Sequence, residues 1–469
     1  MKPHLHFMGI GGISMSGLAR WYHADGYRVS GCDGVLGPSV KRLRTEGISV
    51  AVGHSPDHLE GVDVLVSTMA VPNDGVPNSV EEVGAADTLG LRNIKRIELL
   101  ADLFEKRRAV GVTGTHGKST TSGMLATIFV RSGLDPSVQL GATLPLLEGV
   151  MRYGAGEYLV AEVDESDPGF ADLKADIAVI TNLEDDHVAG EFDDRRNYHA
   201  SLIDLENAAR TFAGSARCVV YCADWEGLED IAGGLDSAVG YGFSPDADYK
   251  LSEAEYGAAE STFTLTTPEG ESAQVELAVP GKYNVHNAAA ALTAAHLAGI
   301  GLADGVEALG AFTGVGRRWQ RWGNVAGTLV IDDYAHHPTE VAATLTAAKN
   351  TGRRVRAVLQ PHRWIRTARH WPALADAAAV ADEILVLDIY SAGEAEILGI
   401  SPDLIVNRLK GAGKSASYHS FASAQRYLRG TLQENDLVIT LGAGDVWRIA
   451  ADLVAEPTPV PQGGEHGNR

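Results

Sequence analysis

Residues 109–121 read Ala-Val-Gly-Val-Thr-Gly-Thr-His-Gly-Lys-Ser-Thr-Thr, and that order leaves few folds open to the chain. A short apolar run predicts a buried strand. It breaks into a glycine-rich turn, and Lys-Ser-Thr-Thr opens a helical stretch through Met124, Leu125, Ile128 and Phe129. Strand, glycine turn and helix in that order build an anion site, because N–H groups exposed by the glycines and the unpaired N–H groups of the first helical turn converge on one point. Lys118 adds a point charge suited to β/γ-phosphates, and the Ser119 hydroxyl is placed to ligate Mg²⁺. The usual phosphate-loop pattern has glycine five residues before Gly117. Here that position is Val112, so the match is the G-x-x-G-K-S core alone.

The rest of the chain repeats the same strand-then-helix grammar. Leu5–Phe7 leads through Gly9-Ile10-Gly11-Gly12 into a helix, and the strand Tyr27–Ser30 is followed by Asp33. An acidic residue about 20 positions after such glycines is where nucleotide folds hydrogen-bond a ribose. Taken alone, this βα start also fits a nicotinamide-dependent oxidoreductase. Val64–Ser67 predicts a further strand and Arg96–Phe104 an amphipathic helix, and Glu105–Arg108 forms a charged hinge. Beyond it, the strands Tyr158–Glu162 and Ile177–Thr181 end in the carboxylate-rich tips 162–167 and 182–187, at the sheet edge that carries the phosphate loop. Residues 248–279 alternate and carry turns, as appended antiparallel strands do, and Pro280–Asn287 opens an alanine-rich helix to Leu297. Thr328–Ile331, Arg354–Leu359, Ile384–Leu387 and Leu437–Leu441 then alternate with helices as a second doubly wound unit. A length of 469 residues suggests about three domains. The expected limits are 1–106, 107–316 and 317–469, with a Pro- and Gly-rich tail from about 456 expected to be disordered. The fold class is α/β: Rossmann-like, then a phosphate-loop ATPase-like mixed sheet, then Rossmann-like again.

Composition narrows the function. No apolar run approaches the roughly 20 residues that span a bilayer, and the N-terminus does not read as a signal peptide, so a cytoplasmic protein without membrane insertion is expected. Three cysteines, Cys32, Cys218 and Cys222, cannot make a disulfide framework. A formal charge of −22 argues against nucleic-acid binding.

A phosphate loop that transfers a phosphoryl group needs a metal to neutralise developing charge. Glu162 and His187 at neighbouring strand tips are the candidate ligands with Ser119. A histidine is unusual for Mg²⁺ and points to a Mn²⁺-tolerant second site. Arg317-Arg318 offers bidentate phosphate recognition or a hinge salt bridge. His336, His337, His362, Arg363, Arg366 and Glu394 lie on separate tips of the last unit, where a carboxylate-bearing substrate would find arginine and an amine nucleophile would find a base.

Together these motifs resemble the Mur ligase family. The likeness runs through 9–19, 114–121, 162–167, 181–187, 280–287, 314–318, 332–340, 360–366 and 388–394, nearly the whole chain. It implies an N-terminal UDP-sugar domain, a central ATP domain, and a C-terminal domain that closes with the amino acid. The implied reaction, in peptidoglycan precursor synthesis, joins L-alanine to the carboxylate of UDP-N-acetylmuramate with ATP and Mg²⁺ or Mn²⁺. A ligase reattaching recycled tripeptide is the alternative within the family. Carried onto this chain, the resemblance places Gly11, Gly12, Asp33 and Ser67 at the UDP-sugar. It places Gly114, Thr115, His116, Gly117, Lys118, Ser119 and Thr120 on the ATP phosphates, Asn284 and Asn287 at the adenine, Arg318 on the phosphates, and Asp332 or Asp333 at the ribose. Ser119 would hold the first metal, Glu162 and His187 the second, and His337, His362 and Arg366 would meet the amino acid. Lys118, Glu162, His187 and Arg318 are the implied catalytic set. Ser119 stands where the family usually has threonine, Tyr283 where it usually has histidine, and Ser14 where it usually has glycine.

Overall fold

The computed structural model describes residues 2–67, 78–186, 188 and 199–455. His187, the loop 68–73 and the tail from 456, which carried sequence expectations, lie outside the described residues. The chain separates into two compact units, 1–318 and 319–469.

The first unit contains two sheets. One is fully parallel, with strands in the order Ser49–Val52, Arg28–Asp33, His4–Met8, Val64–Ser67, Arg92–Lys95. The strand order reverses direction beside His4–Met8, which places the Gly9–Gly12 turn at the crevice where such sheets bind ligands. The helix Ile13–Ala24 begins directly after Gly12, with no side chain capping it. It packs across onto the second sheet: Trp21 Nε1 donates to Ser137 Oγ at 3.3 Å, and a methyl group at Gly17 would strike Gln139. Ser14 lies in the first helical turn and is not among the residues with positive φ, so serine fits there without strain.

The second sheet has ten strands, in the order Ser272–Leu277, Ser261–Thr266, Tyr249–Tyr256, Ala238–Gly242, Cys218–Cys222, Ile177–Ile180, Arg108–Thr113, Tyr158–Glu162, Ser137–Leu144, Gly149–Arg152. Its central strands pair in parallel, and 249–277 forms the expected antiparallel extension. The phosphate-loop strand sits in the middle, buried on both faces as a continuous apolar run predicts. Val112 is fully buried within it and pairs with Glu162. The glycine that the usual loop pattern places there is thus replaced by a core residue. Two helices flank the loop: Lys118–Arg131 buries Met124, Leu125, Ile128 and Phe129, and Lys282–Leu297 buries an alanine face that lets the two pack closely. The second helix starts six residues earlier than the alanine run suggests, so Asn284 and Asn287 lie in its first turns.

The second unit is one sheet, ordered Gln320–Val325, Thr328–Asp333, Asp436–Leu441, Arg354–Leu359, Glu383–Val386, Ser415–Tyr418. All neighbours are parallel except the first pair. That hairpin was not foreseen from the sequence, which opens the unit at Thr328. Its turn places Ala326 and Gly327 at φ 49° and 78°, the two positive values that a tight hairpin turn needs. Apolar clusters cover both faces of the sheet, one around Ile331, Val355 and Ile439, the other around Val358, Leu385 and Val438.

Candidate active site

The loop 114–117 is shaped by its backbone. Gly114 has φ 130° and Gly117 φ 86°, values that a side chain resists, and a Cβ at Gly117 would strike Asn287 Oδ1. The tip after the strand Ile177–Ile180 clamps the loop from the side. Thr115 N donates to Asn182 O at 3.0 Å and His116 N to Asn182 Oδ1 at 2.7 Å, while Thr181 Oγ1 donates to His116 O at 2.6 Å. Thr115 Oγ1 accepts from Glu184 N, and Glu184 Oε2 meets His116 Nε2 at 2.9 Å. The tip 182–184 therefore serves in part as scaffold: Glu184 holds the loop histidine. Neither Thr181 nor Asn182 was singled out as a site residue, although a Thr-Asn pair just past a strand end is a usable signal for loop bracing.

Lys118 Nζ donates back to Gly114 O at 2.7 Å and Thr115 O at 3.2 Å, and lies 2.8 Å from Glu165 Oε2. Burial works against the ammonium, but the carboxylates of Glu165, Asp164 and Glu162 outweigh it and hold the lysine pKa above its usual value. Glu165 is fully buried, and it is the partner that sequence reasoning missed. Glu162 accepts from Gly141 N at 2.8 Å and also takes the Ser119 hydroxyl. Burial raises its pKa, opposed by Lys118, Gly141 N–H, Ser119 and Arg318. The structure thus brings Lys118, Ser119, Glu162 and Arg318 to one point beside the loop. Arg318 follows a tight turn in which Arg317 takes φ 60° and Gly316 N donates to Thr143 O at 2.7 Å.

Asn284 and Asn287 are both buried. Asn284 Nδ2 donates to Pro280 O at 2.8 Å, and Asn287 Oδ1 accepts from Thr121 Oγ1 at 3.2 Å, so Asn287 stands against the phosphate loop. Thr120 is buried in the helix Lys118–Arg131. Beside Asn287 in the helix Lys282–Leu297, His286 Nε2 meets Asp224 Oδ2 at 2.7 Å. Burial alone would raise the Asp224 pKa, but the imidazole and the N–H groups of Phe243 and Ser244 outweigh it and lower it to about 2. A depressed carboxylate stabilises the fold above its unfolded pKa and loses that contribution as pH falls through the folded value. Asp224→Asn is therefore expected to cost about 2 kcal/mol at neutral pH, a difference that fades as pH falls from about 4 towards 2. Chemical denaturation across that pH range checks it.

At the Gly9–Gly12 turn, Gly11 N donates to Asp33 Oδ2 at 2.8 Å, and Asp33 Oδ1 accepts from Val35 N at 3.0 Å. Asp33 braces the turn, and a Cβ at Gly11 would lie 2.8 Å from its carboxylate. Gly12 N donates to Gly9 O. Ile13, Val35 and Leu36 are exposed around the turn, an apolar rim suited to a planar base or sugar. Ser67 is buried, takes Lys95 Nζ at 3.2 Å and donates to Asn93 Oδ1 at 3.0 Å.

In the second unit the strand Thr328–Asp333 runs on through both aspartates, which are buried. Asp332 Oδ1 accepts from Thr440 Oγ1 at 2.6 Å, and Asp333 accepts from Trp319 N and Ala335 N, each at 2.8 Å. The histidine and arginine candidates do converge. The rings of His336 and His362 lie 5.7 Å apart, His362 stacks on Tyr390 at 5.6 Å, and Arg366 Nη1 is 3.3 Å from His362 Nδ1. His337 lies against His370, with ring centres 5.1 Å apart. Glu394 pairs with Arg363 and accepts from Ile365 N, so these two hold the loop at the helix start.

Three family models match in succession: "Mur ligase family, catalytic domain" over 4–108, "Mur ligase middle domain" over 112–295 and "Mur ligase, glutamate ligase domain" over 317–444. The UDP-N-acetylmuramate–L-alanine ligase of Deinococcus radiodurans is 42% identical over 458 residues, covering 96% of this chain and 93% of the relative. The enzyme of the same name from Gloeobacter violaceus is 37% identical, covering 97% and 96%. Among solved structures, the UDP-N-acetylmuramate–alanine ligase of Thermotoga maritima superposes with a TM-score of 0.81 at 29% identity, over 96% of this chain and 98% of that one. A murein peptide ligase from Psychrobacter arcticus shares the fold, with a TM-score of 0.69 at 24% identity and coverage of 96% and 98%. The phosphate loop, its acidic neighbours and the three-sheet α/β plan are thus those of a known set of enzymes: the chain belongs to the Mur ligase family.

Proposed function

We propose that the chain is an ATP-dependent ligase that joins L-alanine to the carboxylate of UDP-N-acetylmuramate in peptidoglycan precursor synthesis, in the cytoplasm. The observation that carries this reading is the convergence of Lys118, Ser119, Glu162 and Arg318 beside the loop 114–117. That set suits a γ-phosphate in transfer, and hydride chemistry has no use for it. The names of the relatives support the muramate and alanine substrates. Domain limits of 1–106 for the UDP-sugar, 107–316 for ATP and 317–469 for the amino acid fit the three sheets. Among the described residues no helix is long and apolar enough to cross a membrane.

The donor set fits a hard divalent cation. Glu162 is a half-buried carboxylate whose pKa is raised by loss of solvent, and the Ser119 hydroxyl already lies on it. Ser119 would hold the first Mg²⁺ or Mn²⁺, and Glu162 with His187 the second. When bound, such a cation neutralises charge on the transferred phosphoryl group. The protein's own groups do the rest. The loop N–H groups and Lys118 hold the β/γ-phosphates, and Arg318 takes a further phosphate oxygen. The muramate carboxylate oxygen attacks the γ-phosphorus as the bond to the ADP oxygen breaks, giving an acyl-phosphate. Arg366 suits the alanine carboxylate, and His362 is the proposed acceptor of the amine proton as nitrogen attacks the acyl carbon and phosphate leaves. Gly11, Gly12, Asp33 and Ser67 are assigned to the UDP-sugar, Asn284 and Asn287 to the adenine side, and Asp332 or Asp333 to the ribose.

The test is phosphate release from ATP with Mg²⁺ and UDP-N-acetylmuramate, run with alanine, glycine, serine or tripeptide as the amine. Alanine is expected to give the highest kcat/KM. Turnover with tripeptide alone would move the chain to the recycling branch, and no phosphate with any amine would sink the ligase reading.

A further inference from the structure

We propose that His6, Cys32, His58 and Glu82 form a binding site for one divalent transition metal of the zinc class, apart from the phosphate loop. The four donors come from four separate elements of the first sheet and its cover. His6 is on the strand His4–Met8, Cys32 on Arg28–Asp33, His58 on the short turn Pro56–Leu59, and Glu82 on the helix Ser79–Thr88. One donor atom from each lies within 4.8 Å of all the others. Metal–donor bonds of roughly 2.0–2.3 Å in a tetrahedron put donors some 3.3–3.8 Å apart. From the single oxygen Glu82 Oε1 the distances are 3.3 Å to His6 Nε2, 3.5 Å to Cys32 Sγ and 3.1 Å to His58 Nδ1, two of them within that range and the third just short of it.

The surroundings point to a cation. The Glu82 side chain has no exposed surface, and its ion-pair partners among the described residues are all histidines. His6 is 3% exposed; its Nδ1 meets Ser30 Oγ at 2.8 Å, which leaves Nε2 as the nitrogen aimed into the cluster. That nitrogen is buried, and its partner is the Glu82 oxygen 3.3 Å away inside the cluster. His54 Nδ1 sits 2.9 Å from Glu82 Oε2 and 3.2 Å from Cys32 Sγ, so it touches both anionic donors and can orient them. His58, 21% exposed, gives the ion a way in from solvent. Two imidazoles, a thiolate and a carboxylate suit zinc and its neighbours and suit Mg²⁺ poorly, which separates this site chemically from Ser119 and Glu162. On binding, Cys32 Sγ bonds the metal and its proton leaves to solvent. The site would pin two strands, a turn and a helix of the UDP-sugar domain together, much as a structural zinc does.

The probe is Co²⁺, added to the full-length chelator-treated protein in saturating Mg²⁺. A thiolate-to-cobalt charge-transfer band is expected at one equivalent and is expected to bleach when Zn²⁺ is added. The band should vanish in Cys32→Ser and Glu82→Gln and persist in Cys218→Ser. Because buried variants can fail to fold, His58→Gln at the rim is the companion. Its circular dichroism should match the parent while zinc affinity drops by at least about 10–100-fold. No thiolate band in the parent, a band that survives Cys32→Ser, or unchanged zinc affinity in folded His58→Gln would each overturn the proposal.

Discussion

Lys118→Ala is expected to lower ligase turnover by about a hundred- to a thousand-fold, the usual loss when one preorganised partner of a developing charge is removed. The ammonium is held by Gly114 O, Thr115 O and Glu165, so it is in position before any nucleotide arrives. The same change takes the lysine away from a fully buried carboxylate, which by itself destabilises the loop. The two effects separate with Lys118→Ala/Glu165→Gln. Removing the stranded charge should restore the melting temperature and leave turnover low. Phosphate release with all three substrates, read beside the melt, checks both. Full turnover in Lys118→Ala would mean that the phosphate loop is misassigned.

The largest stability effect is expected in the second unit. Arg356 is 1% exposed in the middle of its sheet. Its Nε meets Glu383 Oε2 at 2.7 Å and its Nη1 meets Asp436 Oδ2 at 3.2 Å, while Thr431 supplies two further acceptors, O and Oγ1, at 3.0 and 2.8 Å. Tyr427 and Arg354 complete the shell around Glu383. Arg356→Met leaves two almost fully buried carboxylates with Arg354, itself 44% exposed, as their one remaining cation among the described residues, at 3.0 Å from Glu383 and 3.7 Å from Asp436, at an expected cost of about 3–5 kcal/mol. Urea denaturation followed by a probe in 319–469 measures it. The triple change Arg356→Met/Glu383→Gln/Asp436→Asn should recover much of the loss, because no charge is then left buried alone. A loss below about 1 kcal/mol in the single variant would show that water reaches the site.

Much of this molecule is legible in the chain because it is written locally. Tyr158–Glu162 and Arg354–Leu359 were read to the residue, since a buried parallel strand is an uninterrupted apolar run bounded by polar tips. The hairpin strand Gln320–Val325 was missed because its residues are polar and half exposed and carry no such signal. Asn284 and Asn287 were named from the motif, yet their place in the first turns of a helix was not, since the sequence gives the alanine run more weight than its polar start.

By itself the sequence determined the three-part α/β plan, the phosphate loop and its lysine and hydroxyl, and the family, because short-range apolar period and glycine placement encode them. Only the tertiary structure decided what each charged group faces. Glu165 meets Lys118 across 47 positions, Glu184 meets His116 across 68, and Glu82 gathers His6, Cys32 and His58 from three other elements. A carboxylate's partner depends on strand order and register. Spacing along the chain does not carry that information, and so two carboxylate-rich strand tips that read alike turn out to supply a counter-ion, Glu165, and a brace, Glu184.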